Sequence, residues 1–257
     1  MKSLNLVLIF ATVLLLSFSI KKHKPVLYII GDSTVKNGDG KNNNLLQGWG
    51  SFIDASFDTT RIDVQNHAIG GRSSRTFITE GRWDKILATL QKGDYVIMQF
   101  GHNDSGPLDD TARARGTLKG IGADSAEIYN PIRKQKEMVH SYGWYMRKYV
   151  NDAKAKGAVA IICSPIPRND WKEGKVIRSD NSYGLWARQV AENSGAHFID
   201  LNNLLGEAYE KLGIEKTSTF FPKEHTHTNK EGAIFNANVV VREIKGLKKC
   251  KLKKWLL

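Results

Sequence analysis

The sequence is poor in cysteine, and it contains no internal repeat and no low-complexity linker. Two cysteines, Cys163 and Cys250, are too few for the disulfide framework of a small secreted domain. Their pairing with each other stays open, because the sequence does not bring their Cα atoms together. A chain of 257 residues with 41% hydrophobic content can bury a core without disulfides. We expect one domain over residues 20–257.

Long apolar runs are also scarce, since the one candidate covers residues 4–18. A lysine precedes this run, and the small residues Ser17 and Ser19 stand on either side of Phe18 at its end, which is typical of a secretory signal peptide. The run is short for a span of about 20 residues, so an uncleaved anchor is only the alternative. No cysteine follows that could carry a lipid. Residues 1–19 are therefore predicted to be a signal peptide, and the mature protein to be secreted or periplasmic and not bound to a membrane.

Acidic residues are fewer than basic ones, 26 against 38, and the formal net charge is +12. Residues 242–254 hold one arginine, six lysines and one glutamate, which is half of that excess, so residues 242–257 are predicted to form a solvated basic tail. A basic protein favours acidic partners such as nucleic acid, anionic lipid or a polyuronate. Since no nucleic-acid-binding motif is present, an exported basic protein is better matched to an acidic polysaccharide. We expect no nucleic-acid partner and a monomer.

Short apolar runs alternate with helical patterns along the chain, which predicts a parallel sheet with helices on both faces. The predicted strands are residues 26–31, 62–68, 95–100, 158–164 and 197–200. The predicted helices are residues 50–57, 83–90, 131–156, 183–193 and 204–212, and a last helix begins near Thr228 with a capping box to Glu231. Residues 104–130 are predicted to be a surface loop. In the doubly wound order 2-1-3-4-5, ligands bind between the first and third strands.

Polar residues with complementary chemistry follow the predicted strand ends. Ser33 follows the first strand, Gly71 the second and Asn103 the third, while Glu224 and His227 precede the last helix. A serine needs a base and an orienting carboxylate to attack an ester, and these would be His227 and Glu224. The backbone N–H groups of Ser33 and Gly71, with the Asn103 amide, would form an oxyanion hole.

The stretches GDSTV, NHAIGGRSSR, FGHND and HTHTNKEGA, in this order, resemble the SGNH (GDSL-type) hydrolase superfamily, and within it the rhamnogalacturonan acetylesterases. The resemblance implies a flavodoxin-like three-layer α/β sandwich with a five-stranded parallel sheet. It also implies hydrolysis of O-acetyl esters on galacturonate through an acetyl-enzyme, without a metal or an organic cofactor. That family typically has Asp at the position of Glu224. Asp200, at the end of the fifth predicted strand, is the alternative acid.

Several polar residues near these motifs allow two interpretations. Glu224, His225 and His227 could bind a metal, but no third histidine stands at ligand spacing, so we predict no metal site, and His225 is expected to be a loop or pocket residue. Asp32 and His102 are expected to be structural.

Three further side chains are candidates for substrate binding: Arg72, Arg75 and Trp171. Arg72 and Arg75 could pair with galacturonate or with an acid of the protein, and Trp171 could line the cleft. Trp49 is expected in the core, with a sugar-facing position as its alternative. These side chains would set substrate specificity beside the proposed serine.

Other functions compatible with the sequence are an acetylesterase acting on xylan or another glycan, and a lipid esterase. A carbohydrate-binding protein without activity is a rival of another class, and a protein that binds membranes or nucleic acid through its basic tail is a third. Residues 104–127 are polar and charged, which disfavours a long apolar lipid cleft.

Overall fold

The computed structural model of the protein describes residues 23–38 and 46–257. The predicted signal peptide, residues 1–19, lies outside the described residues. Within the described part of the chain, no helix is long and apolar enough to cross a membrane.

A parallel five-stranded sheet forms the centre of the fold, in the order β2-β1-β3-β6-β9. Counted along the chain, its strands have the order 2-1-3-4-5, which confirms the prediction. The remaining strands form two small antiparallel hairpins, β4–β5 and β7–β8. The bounds are β1 (Val26–Gly31), β2 (Asp63–Asn66), β3 (Tyr95–Gln99), β4 (Ser125–Asn130), β5 (Gln135–His140), β6 (Val159–Cys163), β7 (Trp171–Lys172), β8 (Lys175–Val176) and β9 (His197–Ile199).

Helices cover both faces of the sheet, because alternate strand residues point to opposite sides. Leu27 and Ile29 join one apolar cluster with the helix α7 (Lys230–Gly246), and Tyr28 and Ile30 join another with the helix α3 (Tyr142–Ala155). The predicted three-layer sandwich is therefore confirmed. The bounds are α1 (Ser74–Thr79), α2 (Arg82–Thr89), α3 (Tyr142–Ala155), α4 (Tyr183–Ser194), α5 (Leu201–Leu212), α6 (Ile214–Ser218) and α7 (Lys230–Gly246), with 3₁₀ helices at Trp49–Ser51, Asp54–Ser56 and Lys251–Trp255.

The predicted helix over residues 131–156 is wrong in its first half. Glu137 and Val139 are buried while Met138 between them is exposed, which is the period of a strand and not of a helix. These residues belong to β5, which pairs with β4, and α3 begins only at Tyr142. The predicted surface loop over residues 104–130 is correspondingly shorter, since it ends where β4 begins.

Two further helix predictions need correction. Residues 50–57 form two 3₁₀ turns and no continuous helix. Gly50 in the first turn packs against the side chain of Asn66 and the carbonyl of Val35, where a Cβ would not fit. The last helix is capped by Asn229, whose side chain accepts the Gly232 N–H at 3.0 Å. Thr228, the predicted cap, donates its hydroxyl to a backbone carbonyl elsewhere in the chain.

The basic C-terminal segment is packed on the fold and is not a solvated tail. The helix α7 continues to Gly246, and Cys250 and Leu252 are buried beyond it. The Arg61 guanidinium lies 5.0 Å from the Trp255 ring centroid, and the Leu257 N–H donates to the Ser56 carbonyl at 3.0 Å. The lysines alternate with apolar residues, so their charges stay exposed while the segment buries its apolar side.

Both cysteines are free thiols. Cys163 and Cys250 are buried and unpaired, so the pairing left open by the sequence is not formed. Burial raises the pKa of the Cys163 thiol far above its ordinary value, which keeps this residue an inert part of the core.

Candidate active site

A tight turn after β1 carries Ser33. The Asp32 carbonyl accepts the N–H groups of Val35 and Lys36, and its side chain accepts the Thr34 N–H at 2.9 Å and the Thr34 hydroxyl at 2.7 Å. Asp32 is fully buried, as expected for a structural residue. Burial alone would raise the pKa of Asp32, but the charge and hydrogen bond of His102 and the bonds from Thr34 outweigh it and hold that pKa low. The Ser33 side chain takes no part in these bonds.

A chain of hydrogen bonds joins Ser33, His227 and Glu224. Ser33 Oγ lies 2.7 Å from His227 Nε2, and His227 Nδ1 lies 2.5 Å from Glu224 Oε1. When Nδ1–H donates to Glu224, Nε2 is free to accept the serine proton. This is the arrangement that activates a serine hydroxyl for nucleophilic attack.

Glu224 accommodates its extra methylene by folding back on its own loop. Besides the imidazole, its carboxylate accepts the Thr226 N–H at 2.9 Å and the His227 N–H at 2.8 Å. Partial burial would raise the pKa of Glu224, but the Thr226 amide and the side chain and amide of His227 outweigh it and lower that pKa. Glu224 is therefore held as the ionised acceptor that His227 requires.

Asp200, the alternative acid, is bound elsewhere. Its carboxylate accepts hydrogen bonds from Ser164 and Asn203 and pairs with Arg188. The structure does not bring Asp200 to His227.

The three residues of the predicted oxyanion hole line the same pocket. In the described parts of the chain, the amides of Ser33 and Gly71 donate no hydrogen bond. The Asn103 amide nitrogen donates to the Arg72 carbonyl at 2.9 Å, which leaves its second proton unused, and its oxygen accepts from Arg115 at 2.6 Å. Gly71 has φ +76°, which favours glycine. Ser33, Gly71, Asn103 and His227 all line one pocket of about 620 Å³.

Asp104 anchors the Gly71 loop from below, a role that the sequence did not reveal. It is fully buried, and it accepts the Ser74 N–H at 3.1 Å and the Ser74 hydroxyl at 2.5 Å. Burial raises the pKa of Asp104 to about 7, more than the bonds from Ser74 lower it. A buried acid beside Asn103 thus joins two of the strand-end loops.

We expect Asp104→Asn to remove a pH dependence of stability. A carboxyl whose folded pKa is about 7, against an ordinary 3.8, favours the folded state most below pH 3.8 and loses that contribution as pH rises through 7. Wild type should lose about 2–3 kcal/mol between about pH 5 and pH 8 through this group. Urea unfolding at both pH values should show the variant gaining that much relative to wild type at the higher pH. An equal difference at both pH values would contradict this assignment.

Of the predicted substrate-binding residues, only Arg72 reaches the pocket. Its guanidinium donates to Glu80 at 3.0 Å and to the Gly70 carbonyl at 3.1 Å. Arg75 is fully buried, pairs with Glu137 at 2.7 Å and also donates to two backbone carbonyls. The expectation that Arg75 binds substrate is therefore corrected, and its ion-pair alternative describes it.

Neither of the two tryptophans considered above, Trp171 and Trp49, lines the pocket. Trp171 is half-buried in the β7–β8 hairpin, donates to Asn169 at 2.7 Å and packs against the core. It does not line the pocket, so its predicted role in substrate binding is corrected. Trp49 is fully buried and donates to Gln99 at 2.9 Å, in agreement with a core position.

The two other histidines of the motifs have structural partners. His102 lies 3.3 Å from the Asp32 carboxylate and 3.1 Å from the Ile166 carbonyl, as expected for a packed loop residue. His225 Nδ1 lies 2.7 Å from Asp170, while His227 faces Ser33 and Glu224. The two imidazoles therefore have separate partners.

Sequence reasoning missed three arginines at this pocket: Arg113, Arg115 and Arg168. Arg113 and Arg115 lie in the stretch predicted only as a polar surface loop, and Arg168 follows β6. The available signal was the ARAR pattern at residues 112–115, in which two arginines alternate with alanines.

Comparisons with known proteins identify the family and several relatives of this chain. The model of the GDSL-like lipase/acylhydrolase family matches residues 29–233. A rhamnogalacturonan acetylesterase from Emericella nidulans is 32% identical over 219 residues, 85% of this chain and 84% of that protein. A probable rhamnogalacturonan acetylesterase from Bacillus subtilis is 31% identical over 86% of this chain and 93% of that one.

Solved structures share the fold. Protein YxiM from Bacillus subtilis superposes with a TM-score of 0.70 at 27% identity over 87% of this chain, which spans 57% of that chain's length. An acetylxylan esterase from Geobacillus stearothermophilus gives a TM-score of 0.56 at 19% identity, over 87% of this chain and 95% of the other, which shows the fold alone. With residues 29–233 matched by the family model, the chain belongs to the GDSL-like lipase/acylhydrolase family and is a carboxylic ester hydrolase.

Proposed function

We propose that the protein is a serine acetylesterase that removes O-acetyl groups from an acidic polysaccharide of the rhamnogalacturonan type. The observation that carries the proposal is the hydrogen-bonded chain from Glu224 through His227 to Ser33, at the wall of a pocket rich in arginine. The names of the two relatives at 31–32% identity support the acetyl group and the polymer. The signal-peptide pattern of residues 1–19 supports export to where such polymers occur.

The first half of the reaction acylates the serine. Ser33 Oγ attacks the acetyl carbonyl carbon while His227 Nε2 takes its proton. The negative oxygen of the tetrahedral intermediate accepts hydrogen bonds from the amides of Ser33 and Gly71 and from the Asn103 side chain. The C–O bond to the sugar breaks, His227 returns the proton to the leaving sugar oxygen, and Ser33 holds the acetyl group.

The second half releases acetate. A water molecule gives a proton to His227 and attacks the acetyl carbonyl. The intermediate collapses, the bond to Ser33 Oγ breaks, and the imidazolium returns the proton to the serine. Glu224 stabilises the imidazolium in both halves through the bond to Nδ1.

Asn103→Ala is expected to lower kcat on an acetyl ester by about 10²–10³-fold, because one oxyanion donor is lost. The effect should fall on kcat more than on KM, since the donor acts mainly on the transition state. Steady-state kinetics with 4-nitrophenyl acetate measure both. An Asn103→Ala enzyme with a normal kcat would remove this residue from the oxyanion hole.

Acetate release from two acetylated polymers tests the substrate. Wild type should release acetate from acetylated rhamnogalacturonan with a kcat/KM at least about tenfold above that for acetylated xylan, because one well-placed charged contact is worth that much. Release from xylan at an equal or higher rate would keep the esterase chemistry and overturn the proposed polymer. Hydrolysis of 4-nitrophenyl acetate without release from either polymer would indicate another ester.

A further inference from the structure

The pocket beside Ser33 is lined by more arginines than acids, namely Arg72, Arg113, Arg115 and Arg168 against Glu80. Glu80 lines the pocket, and its carboxylate forms ion pairs with Arg72 and Arg82. Within residues 23–38 and 46–257, the other arginines of the pocket, Arg113, Arg115 and Arg168, form no ion pair with a carboxylate. Unpaired guanidinium groups gathered in a concave site favour an anionic ligand.

Hydrogen bonds at both ends and within the loop hold the segment that presents two of these arginines. The Gly116 N–H donates to the Pro107 carbonyl at 2.8 Å and closes the loop, and Asp110 accepts the N–H groups of Ala112, Arg113 and Ala114. From beneath, the buried Arg75 donates to the carbonyls of Leu108 and Gly116, near the two ends of the loop. Since all these hydrogen bonds are internal to the protein, they restrain the loop without help from a ligand, and such preorganisation lowers the entropy cost of binding.

The Arg115 guanidinium contacts two residues of the predicted oxyanion hole, Asn103 and Gly71. Its guanidinium lies 2.6 Å from the Asn103 side-chain oxygen and 3.4 Å from the Gly71 carbonyl. Burial, followed by the charge of Arg113, lowers the pKa of Arg115, so these two like charges repel each other in the free protein. Arg115 is occupied as a positioning residue for Asn103, whereas Arg113 and Arg168 have no hydrogen-bond partner for their guanidinium groups in the described residues.

We propose that Arg113 and Arg168 form a binding site for the carboxylate of a uronate unit at or next to the acetylated sugar. This inference rests on the proposed function and deepens it, because it names the chemical group by which the polymer is chosen. A guanidinium pairs with a carboxylate through two parallel hydrogen bonds, which fixes orientation as well as charge. A neutral xylan chain offers no such group.

Direct binding of an unacetylated oligogalacturonate tests the site without using the catalytic reaction. Calorimetric titration of the full chain at about 0.15 M salt suppresses long-range attraction by the net charge. We expect Arg113→Gln and Arg168→Gln each to raise Kd by about tenfold, because a hydrogen bond to a charged group contributes roughly that factor to the affinity. Arg113→Lys, which keeps the charge but loses the fork, should lie between the wild type and Arg113→Gln.

The matched control is Lys253→Gln, which removes one charge from the exposed side of the C-terminal segment. It should leave Kd within about twofold, because screened charges more than a Debye length apart interact weakly. Methyl esters of the same oligogalacturonate should bind wild type about as weakly as the free acid binds the arginine variants. Unchanged Kd in Arg113→Gln and Arg168→Gln, equal losses in Lys253→Gln, or equal binding of acid and methyl ester would overturn the carboxylate site.

Failure of the proposed function has a different signature. A wild-type enzyme that binds oligogalacturonate through these arginines, but releases no acetate from acetylated rhamnogalacturonan, would refute the polymer and keep the carboxylate site. An enzyme that releases acetate from that polymer, with a Kd for oligogalacturonate that is unaffected by the arginine changes, would refute the carboxylate site and keep the polymer.

Discussion

Replacement of Ser33 by alanine is expected to lower kcat on 4-nitrophenyl acetate by at least about 10⁴-fold, because the oxygen that carries the acetyl group is removed. Ser33 Oγ is the hydroxyl that lies within hydrogen-bond distance of His227 Nε2, at 2.7 Å. The turn itself should persist, since Asp32 and Thr34 form its hydrogen bonds. The thermal midpoint of the variant should therefore stay within a few degrees of wild type.

Ser105→Ala is the matched control for this loss. Ser105 is exposed and follows the neighbouring strand-end motif, yet it does not line the pocket that contains Ser33. Its replacement should leave kcat within about twofold, as expected for a surface change. If Ser33→Ala retained more than about one hundredth of the wild-type kcat, the nucleophile would have to be another residue.

The second large effect is expected at Glu224, where two substitutions separate charge from length. Glu224→Gln should lower kcat by about 10³–10⁴-fold, because a neutral amide cannot hold His227 in the required tautomer or stabilise the imidazolium. The NH₂ group of the new amide would also face three hydrogen-bond donors, which are the N–H groups of Thr226 and His227 and the imidazole. Glu224→Asp keeps the charge and should lose no more than about tenfold.

Asp200→Asn completes this comparison. Asp200 is bound by Arg188 and Ser164, so its neutralisation should leave kcat within about threefold. Stopped-flow and steady-state assays of the three variants at one pH measure these ratios. If Asp200→Asn lost more activity than Glu224→Gln, Asp200 would be the acid of the site.

The sheet could be predicted because its three inner strands, β1, β3 and β6, are short apolar runs that are almost fully buried, and the strand order follows from the doubly wound pattern. The strand-end loops then bring Ser33, Gly71 and Asn103 to one edge. The β4–β5 hairpin was missed because residues 131–156 combine a strand period with a helix period, and the longer helical signal of α3 dominated. The C-terminal segment was misjudged because its apolar residues are spaced between lysines.

Contacts between side chains that are far apart in the chain could not be predicted from the sequence. Arg75 and Glu137 are 62 positions apart, and nothing local shows that Arg75 is buried against that acid while Arg113 is left without one. The two arginines look alike in the sequence, and the buried ion pair of Arg75 with Glu137 distinguishes them in the fold. For the same reason the burial of Asp104 under Ser74 could not be read from its motif.

The acetyl-enzyme is the most direct test of the account. Wild type mixed with excess 4-nitrophenyl acetate and quenched in acid during the first turnover should yield one acetyl group on the peptide that contains Ser33, and Ser33→Ala should yield none. Mass mapping of the digested chain identifies the acetylated residue. An enzyme that hydrolyses the ester at its normal rate with no acetyl group on Ser33, under conditions where the burst of nitrophenol shows that an intermediate accumulates, would contradict the proposed serine mechanism.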